Sequence, residues 1–164
     1  AAPRTESERI RAAARELGDG KKHSLGRILV QAGVVTPEQV EAAIEVQKRT
    51  PNRHLGDILV EQEAASEDAV AQGLACQSQA EFVRLEGQNI TPEAATLITD
   101  RLARQHTCIP IHATDVGVMV AMANPMDLVA IEDVERSTGR PVQVVVATPT
   151  EIKQAIDCYY WEPE

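Results

Sequence analysis

Aromatic side chains are nearly missing from this chain, which has one Phe, two Tyr and one Trp in 164 residues. Ala, Val, Leu and Ile must therefore do the packing. Ala-rich helices can approach one another closely, which suits small helical units. Long apolar runs are missing too. No stretch of 18 or more apolar residues occurs, so no segment reads as a membrane-spanning helix. The start, Ala1-Ala2-Pro3-Arg4, lacks the apolar h-region of a secretory signal. The three cysteines, Cys76, Cys108 and Cys158, are far apart and form no C-x-x-C. That pattern fits a reduced cytoplasmic compartment better than a disulfide scaffold.

Catalytic signatures are absent as well. There is no G-x-x-x-x-G-K-S/T, no Rossmann glycine pattern, no G-x-S-x-G and no H-E-x-x-H. His106, Cys108 and His112 are close in sequence, but zinc needs a fourth ligand and a second clustered pair. They read as a helix-end His and two strand residues. Glu132, Asp133 and Glu135 share a helix with Leu128, Ile131 and Val134 and read as its solvated face. The expectation is that this chain is not itself an enzyme and holds neither a metal nor a resident cofactor.

What is present is a globular composition, 43% hydrophobic and 25% charged, with a net charge of −9. Its length suits one domain, or two small ones sharing a core. The acidity argues against binding a nucleic-acid polymer. The balance inverts locally. Lys21, Lys22, Arg27, Lys48, Arg49 and Arg53, with His23 and His54 beside them, outnumber Glu38, Glu41 and Glu45. Such an island is either a solvated basic face or a site for a small anion.

The most informative feature is an internal repeat. Ser24 to Gln47 reads SLGRILVQAGVVTPEQVEAAIEVQ, and His54 to Gln77 reads HLGDILVEQEAASEDAVAQGLACQ. Leu25/Leu55, Gly26/Gly56, Ile28/Ile58, Leu29/Leu59, Val30/Val60, Val40/Val70 and Gln47/Gln77 are identical. Each unit parses as a short helix over LGxILV, a turn, and a second helix. Thr36 with Pro37 and Gln39 caps that helix in one unit, and Ser66 with Glu67 and Asp68 in the other. Val40 and Ile44, like Val70 and Leu74, fall on one helical face, with the closing Gln on the same side. Neither hairpin can bury those positions alone, so the two should pack on each other.

The expected order has three parts: an N-terminal helix and linker over 1–23, the helical repeat over 24–80, and a small α+β subdomain over 81–161. The helix over 5–17 is capped by Thr5. In the last part, strands are expected at 82–85, 108–112, 116–123 and 142–146. Helices are expected from Thr91 to about Gln105, from Asp127 to Gly139, and from the cap pattern Thr148-Pro149-Thr150-Glu151 to Tyr160. The fold class is therefore α+β, an all-α repeat followed by an α+β unit.

The repeat resembles the tandem motif of the N-terminal domain of type II secretion and type IV pilus assembly ATPases, the MshE N-terminal domain. That motif runs R-L-G, an apolar pair, a glycine turn, and L-x-x-x-L-x-x-Q. The stretch ANPMDLVAIEDVERSTGRPVQVVVATPTEIKQAI (123–156) resembles the second part of the same family. The resemblance implies a regulatory and docking domain of such an ATPase, cytoplasmic and held at the inner-membrane face by a platform or adaptor protein. It also implies a cyclic di-GMP surface. By position that surface takes in Ser24, Leu25, Gly26, Val40, Ile44, Gln47, His54, Leu55, Gly56, Asp57, Val70 and Leu74. Gln47 and Asp57 would read guanine edges, and Leu and Val would cover a purine face.

The departures are specific. Ser24 and His54 stand where each motif has its leading Arg, the group that stacks on a base and binds its O6/N7 edge. Glu63 stands opposite Gly33, and Ala64-Ala65 replace Val34-Val35. Arg53 and Lys22 are candidate substitutes. Two readings stay open: a cyclic di-GMP sensor, or a ligand-free docking module or stand-alone regulator with the same fold.

Overall fold

The computed structural model describes residues 5–17, 25–85 and 90–159. Packing divides the chain into two compact units, with the boundary between Gln79 and Ala80.

The first unit is all helical: α1 (Glu6–Glu16), α2 (Leu25–Gln31), α3 (Pro37–Arg49), α4 (Leu55–Glu61) and α5 (Glu67–Ser78). Each repeat is a hairpin, α2–α3 or α4–α5, and the two turns match bond for bond. Gly33 donates to the Val30 carbonyl, and Val34 and Val35 donate to that of Leu29. Glu63 donates to Val60, and Ala64 and Ala65 to Leu59. Gly33 and Glu63 both take positive φ, +77° and +58°. The turn geometry is thus kept where the glycine is not. Thr36 and Ser66 cap α3 and α5 through their hydroxyls, and Gln39 closes a capping box. Ile28, Leu29, Ile58 and Leu59 are buried together with Ala43, as a shared apolar face requires. Helix α1 belongs to this core through Ile10 and Ala13 and lies against α5, where Glu6 accepts from the Ser66 hydroxyl. No Phe, Tyr or Trp occurs before Phe82, so this core is aliphatic throughout.

The second unit contains β1 (Glu81–Phe82), α6 (Pro92–Ala95), α7 (Asp100–His106), β2 (Cys108–Thr114), β3 (Gly117–Met122), α8 (Leu128–Thr138), β4 (Val142–Val146) and α9 (Pro149–Tyr159). The sheet order is β1-β4-β3-β2. β4 runs parallel to β1 and β3, and β2 pairs antiparallel with β3. Ile109, Val120, Met122, Val134, Ile152 and Ile156 fill the core. The fold class is α+β, as expected.

Local differences have local causes. The helix expected from Thr91 to Gln105 is two helices. The Thr96 hydroxyl bonds back to the Pro92 and Glu93 carbonyls, and Thr99 then caps α7 by accepting from the Leu102 N–H. The break lets Ile98 turn into the core. The strand expected over 82–85 pairs only at Glu81 and Phe82. Beyond it Val83 still donates to Val146, and Leu85 donates to the Glu151 carboxylate instead of a strand. Val116 is not in β3 but at the exposed hairpin turn. The α8 carboxylates are not simply a solvated face. Asp133 Oδ2 lies 2.9 Å from His106 Nε2, and Glu135 accepts from the Val142 N–H at 3.1 Å. These contacts tie α8 to α7 and to the start of β4.

Candidate functional site

The repeat brings the expected site residues into two related clusters. In the first, Val40 and Leu55 meet over Gly26. A Cβ placed on Gly26 would stand 2.9 Å from Val40 Cγ1 and 3.6 Å from Leu55 Cδ2. In the second, Val70 and Leu25 meet over Gly56, at 2.5 Å from Val70 Cγ1 and 3.2 Å from Leu25 Cδ2. Each Leu thus crosses from its own repeat onto the glycine of the other. The two Leu-Gly pairs are therefore packing devices first: the bare backbone lets α2 and α4 seat against the valines of α3 and α5.

The clusters are not equally open. Leu25 and Val70 are only 6% and 7% exposed, while their counterparts Leu55 and Val40 are half-buried. Ile44 is 37% exposed, and Leu74 is half-buried. Two differences accompany this. Helix α1 packs on α2 and α5, the helices that carry Leu25 and Val70. Gly73 also leaves room for Leu25, whose Cδ1 would stand 2.5 Å from an added Cβ, where the first repeat has the buried Ala43. The alignment of the repeats carried this signal as an Ala43/Gly73 mismatch, which sequence reasoning passed over.

The polar residues are also placed unequally. Gln47 Nε2 donates to the Arg53 carbonyl at 3.1 Å and staples the inter-repeat linker to α3. Arg53 pairs with Glu61, and Lys48 with Glu45 at 3.1 Å. His54 precedes α4 at its N-cap position without a side-chain cap bond and is exposed. Asp57 is exposed in the first turn of α4, where the first repeat has Arg27. Ser24 and Lys22 lie outside the described residues. No Lys or Arg occurs from Leu55 to Ser78, a stretch that carries Asp57, Glu61, Glu63, Glu67 and Asp68.

In the second unit His106, Cys108 and His112 do not assemble into a site. His106 is committed to Asp133, and His112 is exposed on β2. Burial pushes the Cys108 thiol up to about 12, with the charge of Asp127 adding to the effect. Among the described residues no helix is long and apolar enough to cross a membrane.

The sequence pattern of the MshEN domain matches residues 78–164, more than half of the chain. The chain belongs to the MshEN family. It is 28% identical over 138 residues to the type IV pilus assembly ATPase PilB of Myxococcus xanthus, covering 84% of this chain and 24% of that protein. To PilB of Thermus thermophilus it is 31% identical over 140 residues, covering 84% of this chain and 16% of that protein. The chain therefore spans no more than a quarter of these relatives and corresponds to the N-terminal domain of pilus and secretion ATPases. Among solved structures it is similar to MshE with cdg, at a TM-score of 0.73 and 29% identity, covering 84% of this chain and 99% of that one. The N-terminal domain of XpsE shares the fold, with a TM-score of 0.67 at 19% identity over 98% of this chain and 99% of that one.

Proposed function

We propose that this MshEN chain is a regulatory domain that governs a type IV pilus or type II secretion ATPase by sensing cyclic di-GMP on its tandem repeat. The observation that carries the reading is the likeness to MshE solved with cdg. Its coverage exceeds the α+β unit alone and so must take in repeat residues. The open cluster of Val40, Ile44 and Leu55, with Gln47 beside it, offers an apolar platform and an amide within reach. A glutamine amide has two N–H donors and a carbonyl acceptor, so Gln47 can meet a ligand while it still donates to the Arg53 carbonyl. The chain works in the cytoplasm at the inner-membrane face, without catalysis of its own, and the ATPase activity resides elsewhere in the parent protein.

Titration calorimetry with cyclic di-GMP on this chain tests the reading. Gln47→Ala and Asp57→Ala should each weaken binding about 5- to 150-fold, the cost of a base edge left unpaired. Ser24→Arg with His54→Arg should strengthen it, and added salt should erode the gain. No heat with the parent chain or the double-Arg variant would end the sensor reading.

A docking role is the second reading, and a specific observation favours it. Leu128 and Val129, at the start of α8, are 69% and 62% exposed, and Met126 beside them is exposed too. Large apolar residues clustered on a surface mark interaction sites. Leu128→Glu with Val129→Glu should abolish binding to the cytoplasmic part of an inner-membrane platform or adaptor protein while circular dichroism stays unchanged. Retained binding would remove α8 from the docking surface.

A further inference from the structure

We propose that the first turn of α8 docks a basic amphipathic segment of a protein partner. Its apolar side chains seat on Leu128 and Val129, and its lysine or arginine lies beside Asp127 and Glu132. The proposal rests on the docking reading and names the chemistry of the partner.

The apolar surface is local, and packing does not account for it. Of the large hydrophobic residues that the described chain leaves exposed, Ile44 and Val116 stand alone in sequence. The other three fall in the run Met126-Asp127-Leu128-Val129. Helical spacing puts Glu132 one turn beyond Leu128 and Val129, and Arg136 one turn further. The opposite side of α8 is anchored, with Ala130 and Val134 fully buried in the core of the second unit. The His106–Asp133 and Glu135–Val142 bonds hold the same helix to α7 and to the start of β4. The exposed turn therefore stands on a fixed support, and a partner orders little of it on binding.

The charge around this turn has one sign. Asp127 caps α8 by accepting from the Ala130 N–H at 3.1 Å. That donor is neutral and leaves the carboxylate charge uncompensated. Glu132 is exposed and makes no ion pair among the described residues. Arg136, the next cation along the helix, leans toward Asp133, 3.8 Å from its Oδ1. An anionic bilayer taking up Leu128 and Val129 would press its headgroup phosphates against Asp127 and Glu132 and be repelled. A nucleic-acid polymer is repelled in the same way. A second copy meeting this turn across a two-fold axis would bring the same acids to it. A segment that alternates apolar and basic side chains gains on both counts. Its apolar groups leave water on Leu128 and Val129. Its cations form rim pairs, which set partner choice and on-rate more than affinity.

The test uses the whole chain and two synthetic helical peptides that share a leucine stripe. One carries lysine at its polar positions, and its twin carries glutamate there. Calorimetry follows affinity, and methyl NMR follows the site. The lysine peptide should shift the methyl signals of Met126, Leu128 and Val129 and bind about tenfold or more tightly than its twin. The preference should shrink in about 0.5 M salt. Asp127→Asn with Glu132→Gln keeps the helix cap, since asparagine caps as well as aspartate. It should bring the two peptides within about threefold of each other. Leu128→Gln with Val129→Thr should abolish the shift at Met126 while far-ultraviolet dichroism stays unchanged. If both peptides shift these signals with equal affinity, the basic partner is overturned and α8 remains a docking surface. If the lysine peptide binds and leaves these signals still, its site is another acidic surface and the inference is overturned as well. If phosphatidylglycerol vesicles move them and neither peptide does, the turn is a membrane contact, and the docking reading falls with the inference. Both fall too if none of the three probes moves them.

Discussion

The side chain of Val70 closes over the bare backbone of Gly56 so tightly that a Cβ there would stand 2.5 Å from Val70 Cγ1. The glycine is required by packing, because α4 could not seat on α5 with any side chain in between. Gly56→Ala should destabilise the first unit by about 1–3 kcal/mol despite the higher helix propensity of alanine. Gly26→Ala should cost less, since Val40 is half-buried and its clash is milder at 2.9 Å. Chemical denaturation of the two variants checks the ranking. Adding Val70→Ala to Gly56→Ala should recover part of the loss, and failure to do so would show that the clash lies elsewhere.

Glu63 holds a left-handed backbone conformation that glycine adopts without strain. Glu63→Gly should therefore raise stability by roughly 0.5–1 kcal/mol, offset in part by the greater freedom of the unfolded chain. Gly33→Ala should lower it by about 1 kcal/mol, although nothing lies within reach of the added Cβ. Opposite signs at the two equivalent turns are the expected outcome. Equal signs would contradict the backbone explanation.

Leu29 and Leu59 are fully buried in the shared core of the two hairpins. Leu29→Ala and Leu59→Ala should each cost about 2–5 kcal/mol. The double variant should leave the first unit largely unfolded. Small shifts in the denaturation midpoint at both sites would mean that the repeats do not share one core.

Cys108 supplies a pH dependence. Its thiol titrates near 9.0 when unperturbed and at about 12 in the folded chain, because burial disfavours the thiolate. Between those values the unfolded state has lost the proton and the folded state has kept it. Stability is therefore whole below pH 9 and falls as pH rises toward 12, by at most about 1.4 kcal/mol per unit. Cys108→Ala should remove that slope from the alkaline limb of a denaturation series. In thiol labelling, exposed Cys158 should react promptly and Cys108 only as the chain opens.

The repeat was legible because its signal lies in identities that packing demands. Leu, Gly, Ile, Leu and Val recur thirty residues apart since both short helices bury the same face. Caps at Thr36, Ser66 and Asp127 were equally readable wherever a hydroxyl or carboxylate preceded a helix. The break between Ala95 and Asp100 was not, because Thr96 and Thr99 are tolerated inside helices and only their backbone bonds show the interruption. The glycines of the Leu-Gly pairs entered the reading by resemblance, and the fold adds that Val40 and Val70 pack over them. The imbalance between the two clusters accompanies the Ala43/Gly73 difference and the packing of α1 on α2 and α5, neither of which the shared identities of the repeats report. The His106–Asp133 contact joins residues on two different helices and has no local pattern to betray it.

The aliphatic core of the first unit has an optical consequence. Phe82, Tyr159, Tyr160 and Trp161 all follow the boundary at Gln79, so fluorescence and near-ultraviolet dichroism of the bare chain arise from the second unit alone. Those signals therefore report on the second unit, while peptide-bond ellipticity reports on both, in one sample and without any label.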